Sequence, residues 1–149
     1  MVEPVPRSLD DVDIKILNLL EEDGSLSFAD LSRRLNTSES MVRKRVNALR
    51  EMGVIKKFSV VVDPAALGLT STAILGIDVD PPLLLQVAQK IGDIHEVKYV
   101  ALTTGDHMIM VEVWARSSAE LSKVLSEKIG RIDGVKKICP SIVLERLKG

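Results

Sequence analysis

The 149-residue chain has one cysteine, one tryptophan, one tyrosine and two phenylalanines, and five side-chain amides in all. A single thiol, Cys139, closes no internal disulfide, which suits a reducing compartment. Cys139 reads as a small buried hydrophobe, since a nucleophilic thiol needs a positioned base. With aromatics at 3%, the core must be built from Val, Ile, Leu and Ala. The few amides (Asn18, Asn36, Asn47, Gln86 and Gln89) match the composition of heat-adapted chains. No apolar run approaches the roughly 20 residues of a membrane span. The opening MVEPVPRSLDD carries acid and proline where a leader needs a basic then an apolar stretch. The expected location is the cytoplasm. There is no P-loop, no G-x-G-x-x-G and no Ser/His/Asp constellation, so no enzyme and no cofactor are expected. His95 and His107 have no cysteine or carboxylate at ligand spacing, whereas a stable zinc site wants four ligands.

What is present is an uneven distribution of charge. The whole chain carries a net charge of −1, but residues 1–30 carry −6, residues 31–57 carry +6 and the remainder carries −1. A local surplus of this size is either a solvated helix face or an electrostatic footprint for phosphate.

The first third reads as three short helices. Ser8 is the expected cap of the first, with Asp10, Asp11 and Asp13 in its opening turn, where the helix dipole favours anions. Leu9, Val12, Ile16, Leu19 and Leu20 give its apolar stripe, and Gly24 ends it. Ser27 with Asp30 predicts a capping box for the second helix, which carries Leu31 and Leu35. Asn36-Thr37 is a tight break. Ser38 caps the third helix, in which Val42, Val46 and Leu49 form the buried stripe. Arg43, Asn47 and Arg50 repeat at similar spacing on another face, and Gly53 stops the helix. Val54 to Val62 is a β-branched run and reads as a strand. Pro64 to Leu69 is the linker.

The rest alternates. Strands are expected at Thr72–Val79, Val97–Thr103, His107–Ala115 and Val135–Leu147, with helices at Leu83–Ile91 and from the Ser117 cap to Ile129. Pro140 marks the last strand as an edge strand or a bulge. Met108 and Met110 alternate and are expected on one side of the sheet, with Trp114 and Tyr99 as packing or interface residues. An internal repeat supports this alternation: Lys90-Ile91-Gly92-x-Ile94-x-x-Val97 recurs 38 residues later as Lys128-Ile129-Gly130-x-Ile132-x-x-Val135. Two such corners suit the βαββαβ order of ferredoxin-like folds. The expected class is α+β. The expected division is residues 1–53 as a helix-turn-helix domain, 54–69 as a connecting strand and linker, and 70–149 as the ferredoxin-like domain.

Helices two and three have the arrangement of a helix-turn-helix. The third would enter the major groove of double-stranded DNA. Its exposed side is expected to carry Ser38, Glu39, Ser40, Arg43, Lys44 and Asn47. Arg and Asn make bidentate contacts to guanine and adenine. Arg33, Arg34 and Arg50 suit phosphate, and Lys56 and Lys57 lie where a wing would touch the backbone. The alternative is a plain three-helix bundle with a basic exterior.

Asp10-Asp11-Val12-Asp13-x-Lys15-Ile16-Leu17-x-Leu19-Leu20, Leu31-Ser32-x-x-Leu35-x-x-Ser38, Arg43-x-Arg45-Val46-x-x-Leu49, Gly53-Val54-Ile55 and Val62-Asp63-Pro64-x-x-Leu67-Gly68 resemble the Lrp/AsnC family of feast/famine transcription regulators. The resemblance implies a winged helix-turn-helix followed by a ferredoxin-like domain of the RAM/ACT-like type. It also implies a homodimer through the second domain, further assembly into even-numbered homo-oligomers such as octamers, and binding of an amino acid or related metabolite near the Gly105-Asp106 turn. The second acidic residue that family members often carry after this turn is Met108 here. From the residues themselves, Asp106 suits an α-ammonium and the backbone N–H groups around Gly105 suit a carboxylate, with Thr104 and His107 adding polar contacts. A hairpin turn uses the same residues for purely conformational reasons. Two other roles fit the sequence: an architectural DNA protein without an effector, and a metabolite-binding regulatory subunit.

Overall fold

The computed structural model describes residues 8–149; residues 1–7, the start of the segment read above against a leader, lie outside them. The chain forms two compact units that divide between Val61 and Val62.

The first unit holds three helices: α1 (Asp11–Glu22), α2 (Phe28–Leu35) and α3 (Glu39–Glu51). The α1 cap is Asp10, not Ser8. Its carboxylate accepts from the N–H groups of Val12 and Asp13, and Asp13 returns the bond to the Asp10 N–H. An ionised acceptor at the positive end of a helix outcompetes a serine two residues earlier, and Leu9 is left outside the helix and partly exposed. In α2 the Ser27–Asp30 capping box forms as expected. Ile16, Leu31, Val42, Val46 and Leu49 are buried together, each at most 1% exposed. Burial on that scale contributes about 1.5–3 kcal/mol per side chain.

The expected Val54–Val62 strand is absent, and the segment has no regular secondary structure. A β-branched run becomes a strand only with a ladder partner. Val60 and Val61 are instead 79% and 83% exposed.

The second unit is a four-stranded antiparallel sheet in the order β2-β3-β1-β4, with β1 at Ser71–Val79, β2 at Val97–Leu102, β3 at Ile109–Ala115 and β4 at Val135–Ile142. Helices α4 (Leu84–Gly92) and α5 (Ser118–Lys123) pack against it. Ala73, Leu75, Ile77 and Val79 of β1 and Ile109, Val111, Val113 and Ala115 of β3 form the core with Val87, Ile91, Leu121, Val124 and Ile129. The alternate residues, Ile74, Glu112 and Trp114 among them, lie on the other face.

The repeat folds as two matching corners. In the first, Ile94 N–H bonds Ile91 O (3.1 Å) and Val97 N–H bonds Ile94 O (3.0 Å); in the second, Ile132 bonds Ile129 (3.1 Å) and Val135 bonds Ile132 (3.2 Å). The preceding helices differ. A 3₁₀ turn at Pro81–Leu83 leads into α4, whereas α5 passes into a π-helical run at Val124–Ile129, so the expected single helix to Ile129 has two geometries.

Three further details differ from the sequence reading. The last strand stops at Ile142, opposite Ala73, and only one further backbone bond, from Val143 N–H to Thr72 O at 2.9 Å, continues the pairing; Leu144 and Leu147 beyond it are exposed. β4 is an edge strand, as Pro140 implied, and Cys139 on it is consequently half-buried rather than buried. Met108 precedes β3 and packs against the core, while Met110 sits within the strand opposite Gly76.

Candidate nucleic-acid interface

Both helices of the helix-turn-helix end in the same backbone closure. After α2, Asn36 adopts the left-handed conformation at φ 53°, and the N–H groups of Asn36 and Thr37 bond the carbonyls of Arg33 and Ser32. After α3, Gly53 does so at φ 70°, with Gly53 and Val54 bonding Arg50 and Leu49. This closure consumes otherwise unsatisfied carbonyls and fixes each helix end. Ser38 opens α3 by accepting from the Met41 N–H at 3.2 Å. The third helix is thus held at both ends while its buried stripe faces Ile16 and Leu31.

The expected contact residues Arg33, Arg34, Ser38, Glu39, Ser40, Arg43, Lys44, Asn47, Arg50 and Lys56 are all exposed. The structure groups some of them and separates others. Ser40, Arg43, Lys44 and Asn47 line one shallow depression on α3. Arg33 borders a second, with Ser32, Asn36 and Thr37 at the turn, and is ion-paired with Asp30. Lys56 borders a third, beside Ile14, Leu17 and Phe58. The hydroxyl of Ser38 is committed to its cap.

Several structural roles were not foreseen from the sequence. Arg45, counted in the basic cluster, turns inward from α3 and pairs with Asp10 and with the buried Asp13, the latter at 3.2 Å. The two hydrogen-bonded carboxylates raise the Arg45 pKa above its ordinary value. The capping box of α1 therefore clamps the third helix, and Arg45 belongs to the framework rather than to the footprint. Asp30 is held below the usual carboxylate range, first by the Ser27 hydroxyl and then by the Ser27 N–H, with Arg33 adding to the effect. Arg43 lies over the ring of Phe28, and Arg50 over that of Phe58.

In the second unit, Thr104, Gly105 and Asp106 form an exposed turn between β2 and β3, with Gly105 at φ 103°. Thr103 closes it: its N–H bonds Met108 O at 3.0 Å and its hydroxyl bonds His107 O at 2.8 Å. His107 is directed elsewhere. Its ring lies over Gly76 of β1, and Nδ1 is 3.3 Å from Asp78 Oδ1. A Cβ on Gly76 would sit 2.1 Å from the ring, so only glycine admits it. A lone glycine inside a strand pattern was the available signal for this close approach. Among the described residues no group of three His, Cys, Asp or Glu side chains could hold a metal, and no helix is long and apolar enough to cross a membrane.

Comparison with known proteins agrees with this geometry. A family model for winged helix-turn-helix DNA-binding matches residues 9–56, and one for the Lrp/AsnC ligand binding domain matches residues 72–149. The chain is similar to the HTH-type transcriptional regulators LrpA of Pyrococcus horikoshii and of Pyrococcus abyssi. Each is 42% identical over 140 residues, spanning 94% of this chain and 99% of the relative. Among solved structures it is similar to Escherichia coli AsnC, with a TM-score of 0.82 and 26% identity, covering 96% of this chain and 97% of that one.

Proposed function

The chain belongs to the Lrp/AsnC family of DNA-binding transcription regulators, and from that premise we propose that it reads a defined operator through Arg43 and Asn47 and that an amino acid or related metabolite modulates this grip. The observation that carries the reading is the exposed row Arg43, Asn47 and Arg50 on a helix capped at both ends. Arg43 and Asn47, one turn apart in this row, present fork and amide donors to base edges, and Arg50 at its end suits phosphate. Ser40 and Lys44 flank it, and Arg33, Arg34 and Lys56 supply phosphate contacts that set position rather than sequence. The chain acts as a cytoplasmic regulator and not as an enzyme.

The effector is assigned to the turn at Thr104, Gly105 and Asp106, with His107 behind it. Self-assembly is part of the same reading. Ile74 and Tyr99 are 44% and 57% exposed on the sheet face opposite the core, and the Val60-Val61 segment lacks a ladder partner. Both suit a second copy in a homodimer, from which even-numbered homo-oligomers up to an octamer can be built. A second reading, an architectural DNA protein without an effector, is favoured by one observation: Met108 packs inward where the family often carries an acidic residue.

Selection from a random duplex pool at physiological salt, with and without a mixture of the twenty amino acids, tests both. A recovered pseudo-palindrome whose affinity shifts with the mixture is the expected result. A recovered site with no shift favours the turn as structure alone. Protection along DNA without a preferred sequence overturns operator reading in favour of the architectural role.

A further inference from the structure

The chain contains two phenylalanines, and neither is fully buried: Phe28 packs against the edge of the helical core and Phe58 lies outside both cores. Phe28 is half-buried at the first position of α2, at the edge of the helical core, and Phe58 is 49% exposed in the segment after α3. Each lies under an arginine of the third helix. The Arg43 guanidinium carbon is 5.1 Å from the Phe28 ring centroid, and that of Arg50 is 5.7 Å from the Phe58 centroid. Both distances are within the range of cation–π attraction. Arg43 and Arg50 are two helical turns apart with Asn47 between them, so the rings bracket the row from its two ends.

We propose that Phe28 and Phe58 are positioning residues that hold Arg43 and Arg50 extended for DNA before it arrives. The inference rests on the reading of α3 as the DNA-contacting helix. An exposed arginine samples many rotamers, and each must be given up on binding. A ring against one face of the guanidinium removes part of that freedom in advance. It leaves the in-plane N–H edges open, and those are the edges that pair bidentately with guanine or phosphate. Burial against the helical core accounts for part of the placement of Phe28, but a leucine there would lack the negative ring face that attracts the guanidinium. Because Arg43 is assigned to base edges, Phe28 governs discrimination. Because Arg50 is assigned to phosphate, Phe58 governs overall grip.

The test uses the full chain and two probes: the duplex enriched by selection and a scrambled duplex of the same length, titrated by fluorescence anisotropy. Phe28→Leu is expected to lower the ratio of the two affinities about two- to fivefold, the range of an exposed cation–π pair. Phe28→Tyr, which keeps the ring, restores it. In an Arg43→Ala background Phe28→Leu has no further effect on the ratio. Phe58→Leu weakens both duplexes by about the same factor and leaves the ratio alone. If Arg43→Ala collapses the ratio but Phe28→Leu does not move it, or raises affinity, the positioning role is wrong while the reading of α3 stands. If Arg43→Ala itself leaves the ratio unchanged, the reading of α3 fails and the role of Phe28 fails with it. Should Phe28→Leu unfold the helical unit, the exposed Phe58 decides: unaltered binding to both duplexes by Phe58→Leu overturns the proposal.

Discussion

The two units place their candidate chemistry in opposite ways. In the helical unit the chemistry is carried by side chains on a rigid element, capped by Ser38, closed at Gly53 and clamped by Arg45 to Asp13. In the sheet unit it is carried by a loop whose three central residues are exposed and whose neighbour His107 is turned away from them toward Gly76. A surface that must match a fixed partner such as duplex DNA gains from preorganisation. A loop of the second kind gains its definition from what arrives, whether a small ligand or a second copy of the chain. The difference is testable because the only tryptophan, Trp114, lies in β3, so its fluorescence follows the sheet unit alone.

The largest expected effect lies on the preorganised side. Arg43→Ala or Asn47→Ala should lower discrimination between the selected and scrambled duplexes by roughly 10- to 100-fold, with the Trp114 transition unmoved. Arg33→Ala should weaken both duplexes about equally. Equal losses on both duplexes for all three variants would abolish the distinction between base-reading and positioning residues.

Next comes the anchor of the loop. Gly76→Ala places a methyl group in the His107 ring, and displacing that ring should cost about 1–3 kcal/mol of sheet stability. Denaturant unfolding followed by Trp114 measures it. In a His107→Ala background the same substitution should cost much less, because the space is then vacant. An unchanged cost in both backgrounds would show that the close approach at Gly76 has no energetic weight.

The sheet unit contains its own comparison in the two corners. Gly92 has nothing within 4 Å of an added Cβ, whereas at Gly130 the carbonyls of Leu125 and Ser126 stand at 2.8 and 3.0 Å, a consequence of the π-helical run. Gly92→Ala should stabilise by about 0.5–1 kcal/mol through the unfolded state. Gly130→Ala should destabilise by about 1–2 kcal/mol. Like signs for both would mean that the corners are energetically equivalent despite their geometry.

Much of this was legible in the sequence because it is locally encoded. The Ser27–Asp30 box, the Ser38 cap, the Val42–Val46–Leu49 stripe and the Ile-Gly corners each depend on residues a few positions apart. What was missed depends on distance in the chain. Arg45 is 32 residues from Asp13, and His107 is 31 from Gly76, so their roles emerge only when the elements pack. Competition explains the rest: Asp10 displaced Ser8 because its charge suits the helix dipole and also pairs with Arg45 of α3, and Val54–Val62 formed no strand because a strand is a property of a pair. The same logic separates Arg45 from Arg43. The two are alike in composition and two residues apart, yet one lies on the framework side of α3 and the other on the open side.

An effect of similar small size concerns the cap that sets the entry to α2 and, through it, Phe28. Ser27→Ala should cost about 1 kcal/mol, read by far-ultraviolet circular dichroism, with Trp114 fluorescence unchanged. Its pH dependence has a definite sign. The Ser27 hydroxyl and N–H hold the Asp30 carboxyl below its ordinary range, so the folded form binds its proton less readily than the unfolded chain. The resulting stability is present above the ordinary carboxylate value of about 4 and is lost as the pH falls through the lower folded value. The wild-type helical unit should therefore weaken with acid more steeply than Ser27→Ala, in which the largest cause of the shift is gone. Parallel acid transitions in the two proteins would mean that the bonds between Ser27 and Asp30 are geometric company rather than a source of stability.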